Sequence, residues 1–433
     1  MIPELIAVAT LLATGIPVVY AFAPGARGSR VAGEAFLIGA GLATIILLLL
    51  SHVGIRWSAV ALLVPLGVVA LASLLFARRG TRTASVADAF QGSPAIATAI
   101  DAATAGVFIL YVTFATLTNP WDWDFWAIWG LKAKTFFAAR GIDWEFLGER
   151  WNEFAHGEYP PLLPLVFDVP ALFRGAWSDR WTAIVSVAFS AAALLVVRRH
   201  VLDDTRDRRV AALATFAATG AALAGWVGLA DVAFLAFATA SVLSLRRSMR
   251  DGDSAASGAM LLGFAALTKN EGVALLAIVT LATLLTAKSD RLQRVLSLWP
   301  AFAIAATWQI PRIAYGLKSD LFLGEASSRF TVSRFVEAAQ RVAAEPPHHP
   351  YFWVVVAVCV VFGARWLREE AFLASIVVLQ FLSTLVVYAV TANDIAWQVS
   401  LSWRRVSDHP ALLALVLAVV VLVRWSRSAT RTS

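Results

Sequence analysis

Pro160-Pro161-Leu162-Leu163-Pro164-Leu165-Val166-Phe167-Asp168-Val169-Pro170-Ala171-Leu172-Phe173 decides how this chain is threaded. The stretch is apolar, rich in proline, and carries Asp168 in its middle. A helix needs about 20 apolar residues to cross a bilayer core about 30 Å thick, so about 14 residues suit a re-entrant or interfacial helix better. The choice fixes the side of everything that follows. If the stretch crosses, Arg198, Arg199, Arg206, Arg208 and Arg209 lie outside. If it stays on the outer face, that cluster falls inside. So do Arg78, Arg79 and Arg82, then Arg246, Arg247 and Arg250, then Lys288, Arg291 and Arg294, then Arg365 and Arg368, and the tail Arg424, Arg427 and Arg431. Short cytoplasmic loops carry the excess of Lys and Arg. One assumption makes every short basic loop cytoplasmic, so the stretch is read as an outer helix. The N-terminus is then outside and the C-terminus inside.

The rest of the chain fits that frame. Its 433 residues are 59% hydrophobic, more than a soluble domain of this length needs. Windows of roughly 17–22 apolar residues recur from end to end, which predicts an all-α polytopic membrane protein. Continuous apolar runs without period-two alternation argue against a transmembrane barrel. About 13 spans are expected, at 4–22, 33–51, 57–77, 96–117, 181–198, 209–227, 229–245, 256–268, 271–287, 295–315, 351–365, 371–390 and 410–424. Leu5 to Val19 lacks a basic leader and a small-residue cleavage site, so it is read as a retained helix. The single cysteine, Cys359, excludes an intramolecular disulfide and a cysteine metal cluster. The net charge of +7 sits in short arginine clusters between helices, which argues for topology signals and against nucleic-acid binding. No internal repeat is evident, which weighs against an inverted-repeat transporter.

Three longer segments fall on the outer side: Thr118 to Arg180, about Leu317 to Pro350, and Thr391 to His409. Two short turns, Gly228–Asp231 and Thr268–Gly272, join them there. The first segment opens with Asn119-Pro120-Trp121-Asp122-Trp123-Asp124-Phe125-Trp126-Ala127-Ile128-Trp129-Gly130-Leu131-Lys132. Tryptophan favours the membrane–water interface. A carboxylate at that depth reaches both aqueous and lipid-borne groups and can serve as a general base toward a hydroxyl. Asp122 and Asp124 are the candidates, and a helix N-cap is the plain alternative for either. Phe125, Trp129, Ala133 and Phe137 form an i, i+4 stripe, predicting an amphipathic helix that lies on the bilayer from Asp124 to Arg140. Lys132, two turns beyond Asp124, can meet a phosphate or snorkel.

The same segment closes with His156-Gly157-Glu158-Tyr159-Pro160-Pro161, where the prolines fix φ and start the next helix. One His and one Glu two residues apart are not a metal-site signature. A divalent cation there would need Asp124 as a third ligand, and no other cofactor is expected. Asp231 lies between two apolar segments, a costly place for an acid unless it is hydrated, paired or used. Lys269-Asn270-Glu271 interrupts a run of about 32 apolar residues, as broken helices do at ligand sites; a simple turn with a Lys–Glu pair reads equally well. Arg404 and Arg405 are cations on the outer face, against the positive-inside tendency. Guanidinium matches a lipid phosphate in charge and geometry, and pairing with Asp394 or Asp408 is the alternative.

These motifs resemble those of the membrane-embedded GT-C glycosyltransferases, which include the lipid A aminoarabinose transferase and the protein O-mannosyltransferases. Asp124-Phe125-Trp126-Ala127-Ile128-Trp129 takes the place of the acid-bearing first outer loop. Tyr159-Pro160-Pro161-Leu162-Leu163 is similar to the family's proline element, and Trp181 to Arg199 to its next helix. Leu267-Thr268-Lys269-Asn270-Glu271-Gly272 resembles the Leu-Thr-Lys turn of that fold. The resemblance covers about residues 96–424. It makes 1–95 three additional N-terminal helices, 96–424 the catalytic core with juxtamembrane helices in its long outer loop, and 425–433 a cytoplasmic tail. The chain departs from the family at Phe125, where many relatives have a second acid. It also has Tyr159 where the aminoarabinose transferase type has a lysine, which leaves the phosphate to Lys132, Lys269 or Arg404. The sequence shows no large C-terminal soluble domain, which points away from an oligosaccharyltransferase-like member.

The resemblance implies an enzyme of the bacterial cytoplasmic membrane with its site facing outside. A sugar would move from a polyprenyl-phosphate carrier to an acceptor hydroxyl on a glycan, lipid or protein, with inversion. Asp124 would be the base, Lys269 and Arg404 would hold the leaving phosphate, and Trp126 and Tyr159 would stack on the sugar. Glu158 and His156 would bind its hydroxyls or orient Asp124, and Asp122, Lys132, Asp231, Asn270 and Glu271 would line the site. A transporter or flippase of a lipid-linked sugar is the competing expectation. It would need polar residues near mid-bilayer, whereas these collect at one face. A structural membrane subunit would need no such cluster.

Overall fold

The computed structural model describes residues 2–79, 90–223, 228–252, 254–287, 289–317, 326–345, 357–359, 361 and 363–432. Among these the chain is helical with no strand; an isolated bridge pairs Gln91 with Asp207. Among the described residues eight helices are long and apolar enough to cross a membrane: Ile2–Phe22, Ser29–His52, Ala59–Ala77, Pro94–Leu117, Asp179–Thr205, Asp231–Asp251, Ala371–Val390 and Asp408–Ala429. The protein is therefore an all-helical, polytopic membrane protein. Four other expected spans are shorter helices, and the segment 351–365 lies mostly outside the described residues, as do Arg82, Lys288 and much of 317–350.

The chain forms two compact units, Met1–Leu276 with Leu296–Leu317, and Ala277–Val295 with Lys318–Ser433. The first contains α1 (Ile2–Phe22), α2 (Ser29–His52), α3 (Ala59–Arg79), α4 (Pro94–Leu117), α5 (Gly130–Ala139), α6 (Trp144–Gly148), α7 (Leu162–Arg174), α8 (Asp179–Thr205), α9 (Arg208–Ala222), α10 (Asp231–Asp251) and α11 (Ala256–Ala266). It also holds the start of α12 (Asn270–Thr286) and, after α13 (Arg291–Leu296), α14 (Trp299–Ala314). The helix α10 is its centre, packed on α8 and α11 and 89% buried over its most apolar window, whereas α4 is only 17% buried. A helix buried all round by others reads in sequence like one bathed in lipid, because both environments want apolar side chains. The N-terminal helices belong to this unit: α2 packs on α8 and α11, and Trp57 N donates to the Arg140 carbonyl at 2.9 Å.

The decisive stretch forms α7, a helix of 13 residues. At 1.5 Å per residue it reaches only about 20 Å, too short to cross. Its apolar face is covered by protein and not left for lipid. Every residue from Leu162 to Leu172 is buried, against α1, α2 and α5. The Phe125 stripe departs from expectation in the same way. Phe125, Trp129, Ala133 and Phe137 are all buried within the protein, with Phe125 edge-on to Phe167 at 6.1 Å between centroids. Periodicity places residues on one face but does not say whether lipid or protein covers it. The first turn of that segment, Phe125–Trp129, is π-helical rather than α.

In the second unit, Ala338, Val342, Leu385, Tyr388, Ile395, Val399 and Trp403 form one buried cluster. Arg334 donates to the Ala389 and Thr391 carbonyls, each at 2.7 Å, closing the end of helix Ala371–Val390. Unsatisfied carbonyls and a partial negative charge at a helix C-terminus favour a guanidinium there.

Candidate functional site

The site grows from the π-helical turn. The Asp122 side chain accepts from Asp124 N at 3.0 Å, and the Asp122 carbonyl accepts from Phe125 N and Trp126 N at 3.1 and 3.2 Å. Asp122 thus shapes the turn, as short acids do at helix starts. Its neighbour Asp124 is partly exposed at the head of that turn. The Phe125 ring anchors the turn against Gly228, where a Cβ would come within 2.4 Å of the ring; with φ of +99° the position suits glycine on both counts. This contact brings the Gly228–Asp231 turn to the Asp124 segment.

The broken helix arrives from another side. Between α11 and α12 the chain turns at Leu267-Thr268-Lys269, and a Cβ on Gly272 would fall 2.0 Å from the Ala265 carbonyl oxygen. Only glycine lets α12 start so close to the end of α11. Leu162 N, in the first turn of α7, donates to the Leu267 carbonyl at 2.8 Å. An orphan donor at one helix start thus meets an orphan acceptor at another helix end, and the Pro-Pro-Leu-Leu element is fixed to the Leu-Thr-Lys turn. Lys269 Nζ lies 3.0 Å from Asp231 Oδ1 and 3.1 Å from Glu271 Oε1. Asp231 is mostly buried and Glu271 is 39% exposed at its side chain. Asn270 Nδ2 is buried without a hydrogen-bond partner among the described residues.

His156 and Glu158 sit where the chain turns into the proline element. His156 adopts φ of +50°, uncommon for a side-chain-bearing residue. Its ring stacks on Tyr159 at 4.6 Å, and Tyr159 stacks in turn with Trp129 at 5.6 Å. His156 Nδ1 is 3.4 Å from Glu158 Oε1. Glu158 is 4% exposed, and its carbonyl accepts from Trp308 Nε1 at 3.1 Å. Trp308, in α14, is fully buried; sequence reading passed over it because a tryptophan inside an apolar run looks like any other core residue.

Two expected roles change with this geometry. Lys132 is 1% exposed, donates to the His156 carbonyl at 2.9 Å, and lies 4.9 and 5.6 Å from the Trp129 and Tyr159 ring centres. It props the His156–Tyr159 segment from below and is not presented to a phosphate. Burial pushes its ammonium down to about 7, with Glu158 pulling the other way. Tyr159 stacks on two rings already, so it offers a ligand its hydroxyl edge and not its face. Burial raises that hydroxyl's pKa first, Glu271 raises it further, Lys269 opposes, and Glu158 and Asp124 add to the rise. Asp124, Glu158, Glu271 and Lys269, from three separated stretches, thus act on one phenol.

Trp126 remains half exposed, and Trp121, Trp123 and Trp151 are more exposed still. Arg404 lies in the second unit on helix Ile395–Val406, exposed and with no ion pair to a described residue, while Asp394 caps that helix by accepting from Trp397 N at 2.8 Å. Among the described residues no group of three or more His, Cys, Asp or Glu is arranged to hold a metal ion, so the set Asp124, His156 and Glu158 does not assemble as one. The chain matches no protein-family model and no curated protein sequence.

Proposed function

We propose that this protein is a membrane glycosyltransferase of the GT-C type, acting at the outer face of a bacterial cytoplasmic membrane. It moves a sugar from a polyprenyl-phosphate carrier to an acceptor hydroxyl, with inversion. The observation that supports this most is Lys269 held between Asp231 and Glu271 on a turn hydrogen-bonded to the proline element that follows His156, Glu158 and Tyr159, beside exposed tryptophans.

The acceptor oxygen attacks the anomeric carbon as the bond from that carbon to the phosphate oxygen breaks. The hydroxyl proton passes to Asp124, and the electron pair leaves with the lipid phosphate. Asp122 is committed to shaping the turn, which favours Asp124 as the base. Lys269 and the N-terminus of α12 stabilise the leaving charge. Lys269 already serves two acids, so the phosphate takes the place of the more exposed Glu271 while Asp231 keeps the lysine aimed. Trp126 has a ring open to stack on a sugar.

The test is transfer of radiolabelled sugar in proteoliposomes supplied with polyprenyl-phosphate sugar donors. Transfer that requires Asp124 supports the reading. Donor movement across the bilayer with no transfer product, from protein with intact insertion, would replace it with a transporter.

A further inference from the structure

On a weakly buried flank of the first unit, α4 packs on α8 and α9 through a thin stripe. Its buried residues are only Ala97, Thr104, Tyr111 and Ala115. Beside that stripe runs a furrow of about 280 Å³, walled by Ala105, Phe108, Leu194 and Leu195. The small side chains of Ala105 and Ala191 leave the space. The Thr104 and Thr215 hydroxyls, which also line it, are turned back onto their own helices, to Ile100 and Ala211 carbonyls. The furrow is therefore apolar along its length and polar at one place, where Asp101 and Arg198 pair at 2.7 Å.

That polar end is cationic. Arg198 donates to Asp101 through Nη2, and its buried Nη1 has no hydrogen-bond partner among the described residues. Arg199 and Arg208 lie against the same ring, Phe90, at 5.8 and 5.6 Å from its centre. Arg199 is matched by Asp203 at 2.8 Å, but Arg208 is exposed and has no ion pair with any described residue. Like charges gathered on one ring repel unless an anion joins them. An apolar slot on a weakly buried flank, ending where three arginines face two acids, has the polarity of one molecule type.

We propose that this furrow binds an anionic phospholipid of the leaflet at the basic end of the bundle. One acyl chain lies along Ala105, Phe108, Leu194 and Leu195, and the phosphate meets Arg208 and Arg198. The site is separate from the carboxylate cluster and does not depend on the glycosyltransferase reading. It makes the packing of α4 sensitive to lipid charge, since the chain fills a gap that α4 leaves open.

The full-length protein, delipidated in detergent, is incubated with equimolar dioleoyl phosphatidylglycerol and dioleoyl phosphatidylcholine, and retained lipid is counted by native mass spectrometry. Wild type should retain phosphatidylglycerol preferentially, with the first lipid held most firmly. Ala105→Trp, which fills the furrow, and Arg208→Gln, which removes the unmatched charge, should each abolish the preference. Equal retention of the two lipids by wild type overturns the proposal. So does loss in Arg208→Gln with an unchanged preference in Ala105→Trp, which would be surface charge alone. Loss in Ala105→Trp only overturns the head-group assignment. If Ala105→Trp does not fold, Ala105→Leu makes the same test with a smaller plug.

Discussion

At the basic end of the first unit Asp203 is held by Arg199 and Arg247, and Asp204 by Arg246 and Arg250. Glu34 accepts from Arg30 Nε at 2.7 Å, from Ser244 Oγ at 2.6 Å and from Ser257 Oγ at 3.3 Å. Around the opposite ends of these helices Asp231 and Glu271 flank Lys269, Glu158 faces His156, and Asp122 and Asp124 head the turn that Phe125 anchors at Gly228, with Lys132 buried under His156. The basic end matches each acid with guanidinium, in forks that fix geometry. The other end has more acid than cation and adds a left-handed His156 and a π-helical turn. Matched buried pairs lock helices together. An excess of one charge, held in a strained frame, suits a surface that must accept a ligand.

The sharpest way to break this contrast is a pair of isosteric changes. Asp124→Asn should lower transfer activity by about 10²–10⁴-fold with insertion intact, because an amide cannot take the proton. Asp122→Asn should cost much less. Asp204→Asn at the basic end should do the reverse, lowering stability by about 3–5 kcal/mol through the stranded Arg246 while leaving turnover per folded molecule near wild type. If Asp204→Asn kills turnover without loss of stability, the two ends have been assigned the wrong way round.

Next in size is the cation. A charge-assisted contact is worth about 1.5–3 kcal/mol, so Lys269→Ala should lower donor affinity or rate by about 10- to 150-fold. Wild-type kinetics for this variant would remove Lys269 from the phosphate.

Beneath the site the expected effects are on stability. Burial lowers the Lys132 pKa to about 7, against about 10.4 in an unfolded chain. Between those values the unfolded state binds more protons, so stability should rise with pH from about 7 to about 10. Thermal midpoints of Lys132→Met should lack that rise; an identical pH profile would mean that the ammonium is not desolvated.

The smallest effect is expected at Asp168, fully buried in α7, with neither carboxyl oxygen hydrogen-bonded among the described residues. Burial raises its pKa well above the usual range, with Arg140 opposing weakly. The native state then binds the proton more tightly than the unfolded chain. Stability is lost as pH rises from about 4, the unfolded value, toward the folded one. Asp168→Asn should match wild type near pH 4 and melt higher at pH 8. Equal midpoints at both would show that the carboxyl has found a partner.

Sequence alone determined the class of this protein and the addresses of its long helices, because bilayer thickness sets a length that composition must meet. It also marked the short α7 and the break before Asn270, since a helix too short to cross and a charge within an apolar run are both visible in one dimension. Tertiary structure decided what each apolar face meets. The Phe125 stripe and α7 are as apolar as lipid-facing segments, but protein covers them. It also decided which polar groups stay at the surface. Lys132 and Trp308 were unreadable as supports of the His156–Glu158 turn, because their roles rest on contacts 24 and 150 residues away. The meeting of Leu162 with Leu267 has the same origin. A helix end must satisfy its backbone groups somewhere, and only the folded chain specifies with whom.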